Sequence, residues 1–191
     1  MTTYNFSLFD TAIGTCGIVW TARGIAGVQI HNASERATRA SLLRRFAEAE
    51  EAAPPAQVRR AIDGIVALLR GEHRDLKDVT IDAGDLPEFN RKVYDIARTI
   101  PPGATLTYGE VAERLGDKLL ARDVGQALGQ NPIPLIVPCH RVLAAGGKTG
   151  GFSAPGGVFS KLRLLTIEGA QPHGPTLFDR LPLAAKRRRR S

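Results

Sequence analysis

The sequence predicts an α/β N-terminal unit, a small antiparallel sheet with helices, followed by a mainly α C-terminal unit that contains a helix-turn-helix. Three observations carry this. Short β-prone runs broken by glycines crowd residues 4 to 31, and helical apolar spacing takes over from Val58. After Leu86, two short helical segments separated by a brief turn follow a longer one. The implied boundaries are 1–85 for the first unit, 86–171 for the second, and 172–191 for a basic tail expected to be disordered.

In chain order, "YNFSLFD", "CGIVWTA" and "IAGVQIH" are rich in branched and aromatic residues, and "IGTCG" and "RGIAG" punctuate them as turns would in an antiparallel meander. Ser34 with Glu35 opens a helix whose pattern runs to about Glu51, before "APPAQ". Val58, Ile62, Ile65, Val66 and Leu69 then fall on one face of a second helix that Gly71 stops. "DLKDVTID" reads as one more strand. In the second unit "PEFNRKVYDIARTI" places Phe89, Val93, Ile96, Ala97 and Ile100 on one face, and "PPG" ends it. Thr107 is predicted to cap the helix beginning "YGEVAERLG", with Glu110 at capping-box distance. "ARDVGQALGQ" reads as another short helix, ending near Asn131.

Composition narrows the class of protein. A chain of 191 residues with 43% hydrophobic content can bury a substantial core. No segment approaches the roughly 18 apolar residues of a membrane span. The start "MTTYNFSLFD" has neither region of a signal peptide, so the expectation is a cytoplasmic protein without membrane attachment. The two cysteines, Cys16 and Cys139, cannot form a multi-bridge framework and read as free thiols. The formal charge is +7, but "KRRRR" at Lys186 to Arg190 supplies five of those charges, which leaves the rest near balance. That tail fits either non-specific phosphate affinity or a solvated end. Cys16, His31 and His73 lack the spacing of a metal site, and no metal is expected.

The stretch "IPLIVPCHRVL" carries the chemistry. A lone cysteine beside Val137 and Val142 is most often a small core residue. Here Pro138 fixes its own φ, His140 supplies a base that titrates near neutrality, and Arg141 supplies a fixed positive charge. Such neighbours favour the thiolate that a nucleophilic cysteine needs.

The run "NPIPLIVPCHRVLAAGG", the upstream "IPPGATLTYGEVA" and "ARDVGQALGQ", and the downstream "KLRLLTIEG" together resemble the O6-alkylguanine-DNA alkyltransferases. The resemblance is collinear from roughly Phe89 to Gly169, includes "PCHRV" intact, and extends loosely to "IGTCGIVW".

The resemblance implies a monomeric protein that binds double-stranded DNA containing O6-alkylguanine, with O4-alkylthymine as a further candidate lesion, and moves the alkyl group, once and without a cofactor, to Cys139. It implies that His140 draws the thiol proton through a water, that Glu168 orients His140, and that Asn131 braces the turn. Tyr108 would lie beside a flipped base, with Val142, Phe152 and Ser153 around it. Arg122 would fill the space the base leaves, while Ala121 and Gly125 let the helix approach the minor groove. Three features depart from the family pattern: bulky Leu119 and Leu120 before Arg122, Asp123 after it, and a longer "GGFSAPGG" loop with Phe152 where tyrosine is common. They bear on groove docking and on tolerance for bulkier alkyl groups. The alternative is a lesion-binding sensor that recruits other repair factors, for which an intact Cys139, His140 and Glu168 set would be unnecessary.

Overall fold

The computed structural model describes residues 2–170, so the expected tail at 172–191 lies outside the described residues. Strands β1 (Asn5–Thr11), β2 (Gly14–Thr21) and β3 (Gly24–Gln29) form the expected meander. The register Thr11↔Gly14 leaves a two-residue turn between β1 and β2, and Thr11 Oγ1 donates to Gly14 O at 2.7 Å.

Helices cover both faces of β2, which is why its second half is buried throughout. Cys16, Ile18 and Trp20 point into the main core with Val58 and Ile65. Val19 points the other way, onto Phe6 and Leu42. Helix α1 (Glu35–Arg45), capped by Ser34 Oγ, lies close against that second face: a Cβ on Gly17 would sit 2.5 Å from Leu42 Cδ1. Each fully buried Ile or Leu contributes about 1.5–3 kcal/mol relative to exposure.

Three expectations are corrected here. Helix α1 stops at Arg45, not near Glu51, because Phe46 leaves helical geometry (φ −131°) and the chain extends into β4 (Glu50–Glu51). That short strand pairs parallel with β1, so the sheet is mixed, in the order β3-β2-β1-β4. "DLKDVTID" is mostly irregular, with one bridge, Ile81 to Ile25. Asp75 Oδ1 turns the chain by accepting from Lys77 N, and Arg98 takes the Lys77 and Val79 carbonyls, leaving only Thr80 to Asp82 to bond β3.

Helix α2 (Ala56–Leu69) buries Val58, Ile65 and Leu69 as the spacing predicts, with Ile62 and Val66 half-buried. Helix α3 (Glu88–Arg98) buries Asn90, Val93, Tyr94 and Ala97, a face rotated slightly from the predicted one, with Phe89 and Ile96 half-buried. The rotation brings Tyr94 O–H to Ala127 O at 2.8 Å, and Asn90 Nδ2 to Gln130 Oε1 at 3.2 Å. These bonds seat helix α5 (Ala121–Gly129) against α3. Between them, β5 (Leu106–Thr107) leads into α4 (Tyr108–Arg114) through the predicted capping box: Glu110 N donates to Thr107 Oγ1 and Thr107 N donates to Glu110 Oε2. A 3-10 turn, Lys118–Leu120, then joins α4 to α5, completing the helix-turn-helix.

Beyond β4 and β5, two elements have no counterpart in the sequence reading. β6 (Val142–Leu143) pairs parallel with β5, and α6 (Gly157–Ile167) runs through "KLRLLTI" to end at Glu168. The outer edge of β3 is also occupied, since Val28 N donates to Pro132 O at 3.0 Å. The N-terminal sheet is thereby bonded to the segment that leads to Cys139. No helix among the described residues is long and apolar enough to cross a membrane.

Candidate active site

The bend before Cys139 is built by one side chain. Asn131 Nδ2 donates to Val137 O at 2.9 Å, and its Oδ1 accepts from Ile133 N at 2.9 Å, bracing both ends of the bend. Within it Leu135 is buried at φ 74°, a left-handed conformation that costs a non-glycine residue of order 1–3 kcal/mol and persists because its surroundings enforce it. The chain then makes a 3-10 turn, Cys139–Arg141, and continues into β6.

His140 is fully buried and lies with Nε2 at 2.8 Å from Glu168 Oε1. Arg141 holds the same carboxylate from its other side, with Nε donating to Oε2 at 2.9 Å and Nη2 to Oε1 at 2.8 Å. Arg141 Nη1 donates to Ile100 O, at the end of the α3 segment. Burial alone would raise Glu168, but hydrogen bonds and charge from His140 and Arg141 outweigh it and hold its carboxyl at about 2. The carboxylate can only accept, so the imidazole donates from Nε2 and carries a lone pair on Nδ1. That Nδ1 is buried with no hydrogen-bond partner among the described residues. Burial first, with the Arg141 and Lys161 charges adding, pushes His140 below its ordinary value against the pull of Glu168. The imidazole is therefore a neutral, available base.

The thiol of Cys139 has cationic neighbours, but they are set against its burial. Burial raises its pKa, and Asn131 and Lys161 offset this only in part. The thiol is protonated at rest, and a base must remove its proton.

Lys161 is the residue the sequence reading missed. It is fully buried on α6, with Nζ donating to Val142 O at 2.7 Å and lying 5.7 Å from the Tyr108 ring centroid. Burial lowers it to about 8, and a charge on Cys139 would raise it. The available signal was its spacing of one heptad from Glu168, which puts both on one face of a helix.

Cys139, 7% exposed, lines a cavity of about 530 Å³ together with Tyr108, Ala121, Arg122, Gly125, Phe152 and Ser153. That volume suits a nucleobase-sized ligand. Arg122 is exposed on α5. Gly150 adopts φ +69° against Tyr108, whose hydroxyl oxygen would lie 2.9 Å from an added Cβ, so the loop from Gly150 approaches the ring closely. Val142 is buried outside this lining; its carbonyl instead anchors Lys161. The predicted residues thus form two connected groups, a set of buried Cys139, His140 and Glu168 braced by half-buried Asn131, and a cavity lining that meets it at Cys139.

A helix-turn-helix beside a buried thiol, imidazole and carboxylate defines a DNA-binding transferase class, and the comparisons agree. Residues 88–170 match the family described as 6-O-methylguanine DNA methyltransferase, DNA binding domain. The methylated-DNA–protein-cysteine methyltransferase of Methanothermobacter thermautotrophicus is 34% identical over 158 residues, 83% of this chain and 81% of that protein. The protein of the same name from Mycolicibacterium paratuberculosis is 43% identical over 122 residues, 62% of this chain and 70% of that one. The crystal structure of Mycobacterium tuberculosis OGT in complex with DNA superposes with a TM-score of 0.68 at 31% identity, covering 86% of this chain and 92% of that chain. This chain belongs to the methylated-DNA–protein-cysteine methyltransferase family.

Proposed function

We propose that this protein repairs double-stranded DNA containing O6-alkylguanine by direct reversal, accepting the alkyl group on Cys139 in a single turnover. One observation carries the reading: a buried Cys139 borders the cavity and is followed directly by a neutral His140 whose Nδ1 is unpartnered and whose Nε2 is held by Glu168. In the step, His140 Nδ1 takes the Cys139 proton through a water, and the sulfur attacks the alkyl carbon. The carbon–O6 bond breaks with its electron pair going to the guanine oxygen. Tyr108, whose hydroxyl is held protonated by burial, is placed to donate a hydrogen bond to the departing base. The thioether product is stable, so no cofactor is consumed and no regeneration step follows.

Within this reading, residues 86–171 form the DNA-binding and alkyl-accepting unit, and 1–85 support it from β3 and α1. The protein acts in the cytoplasm as a monomer. A flipped guanine would enter the cavity between Tyr108 and Phe152, with Arg122 filling its place in the stack and Ala121 and Gly125 facing the minor groove. A lesion sensor would not require the Cys139, His140 and Glu168 arrangement.

Intact-protein mass spectrometry after incubation with a duplex containing one O6-methylguanine tests the proposal. The expected result is a stoichiometric gain of one methyl group, about 14 Da, mapped to Cys139. An unmodified protein that holds the lesion duplex more tightly than normal DNA would replace the transferase reading with the sensor one. A second expected result separates base capture from chemistry: Arg122→Ala slows repair in duplex DNA much more than reaction with free O6-benzylguanine. Equal losses on both substrates would remove Arg122 from the finger role.

A further inference from the structure

Cys139 borders a second cavity, of about 450 Å³, that reaches from the C-terminal end of α5 to the N-terminal sheet unit. Gly129, Phe152 and Ser153 are common to both cavities, so Cys139 and the Phe152 segment stand between them. The second cavity is walled by β3 and α1 of the N-terminal sheet unit, and its lining there sets the polar Gln29, Asn32, Ser41 and Arg44 beside Val28 and Ile30.

Two of these groups are arranged to recognise an anion. Ser41, 7% exposed, accepts from Asn32 Nδ2 at 3.1 Å and from Arg44 Nη2 at 2.8 Å. Both lone pairs of its hydroxyl are then engaged, and its proton has no acceptor among the described residues. Arg44 has no carboxylate partner among the described residues, whereas its neighbour Arg45 is committed to Val28 O and Pro132 O. A free hydroxyl proton beside an available guanidinium is a carboxylate-binding arrangement.

We infer that this cleft receives the outer part of extended O6 substituents, and that Arg44 with Ser41 selects those ending in a carboxylate. The inference rests on the transfer chemistry proposed above. In an in-line displacement the sulfur, the transferred carbon and O6 lie on one axis, so the rest of an alkyl chain must leave that axis sideways. With the base filling the first cavity, the second is the space beside Cys139 that remains for the chain. Bonds made and broken are those of methyl transfer: sulfur to the first chain carbon, and that carbon from O6.

The test compares single-turnover rates at fixed salt for duplexes carrying O6-methylguanine, O6-carboxybutylguanine and the amide of the same chain. The wild type should transfer the carboxylate chain about fivefold faster than the amide, the scale of a partly exposed charge-assisted contact. Arg44→Gln and Ser41→Ala should each bring the two rates together and leave methyl transfer unchanged. Equal rates in the wild type, or a preference that survives Arg44→Gln, would overturn the inference. So would equal slowing of all three substrates by Arg44→Gln, which would place Arg44 on a DNA phosphate. Absence of methyl transfer in the wild type would remove the proposed function itself, whereas methyl transfer without the carboxylate preference removes only this inference.

Discussion

Cys139→Ala is expected to abolish alkyl transfer completely while the protein still binds duplexes carrying O6-methylguanine. The sulfur is the only part of the side chain the reaction uses, and alanine leaves the cavity lining otherwise intact. The chain has one other cysteine, and it offers no substitute. Cys16 is fully buried in β2, its thiol pushed up by that burial and set 3.8 Å from Thr11 Oγ1, within the core that faces α2. Stability should fall by only about 1 kcal/mol, the usual size of a small core truncation. Mass spectrometry of the variant after exposure to lesion duplex, alongside a binding titration, separates the two effects. A methyl group found on any other residue of the variant would remove Cys139 as the necessary acceptor.

The parts of the molecule visible in the sequence are those set by local rules. The β1–β3 meander follows from branched residues between turn glycines, and the start of α4 follows from Thr107 and Glu110 alone, since a capping box needs nothing beyond its own four residues. Where the chain's fate depended on a distant partner, the pattern misled or was silent. The end of α1 is decided by Glu50 and Glu51 pairing with β1, and "DLKDVTID" loses strand structure because Arg98, on α3, takes two of its carbonyls. Cys139 and His140 were legible as a pair because "PCHRV" is contiguous. Lys161 was not, because a lysine among alternating leucines reads as a solvated position until the fold buries it against Val142 and Tyr108. Arg141 likewise read as a charge near the thiol, whereas its guanidinium is fully engaged with Glu168 and Ile100 O.

That engagement sets the second large effect. Glu168→Gln should destabilise the protein by about 3–5 kcal/mol at pH 7, because it leaves the buried Arg141 without a counter-charge. The neutral amide also cannot match the carboxylate's hold on both His140 and Arg141, so transfer to Cys139 should slow as well. The effect must depend on pH in one direction. Glu168 titrates at about 2 in the folded protein, below the ordinary carboxyl value of 4.5, so the folded state favours the ionised form. Its contribution is fully present above pH 4.5 and is lost as pH falls from there toward 2. Denaturant titrations of the wild type and Glu168→Gln should therefore differ most near neutrality and converge through that acidic window. A gap that stayed constant down to pH 2, or one below about 1 kcal/mol at pH 7, would show that Glu168 does not stabilise the fold as a buried counter-ion. Transfer rates measured where both proteins are fully folded separate its effect on the site from its effect on stability. A slow but folded variant assigns Glu168 to orienting the base that deprotonates Cys139.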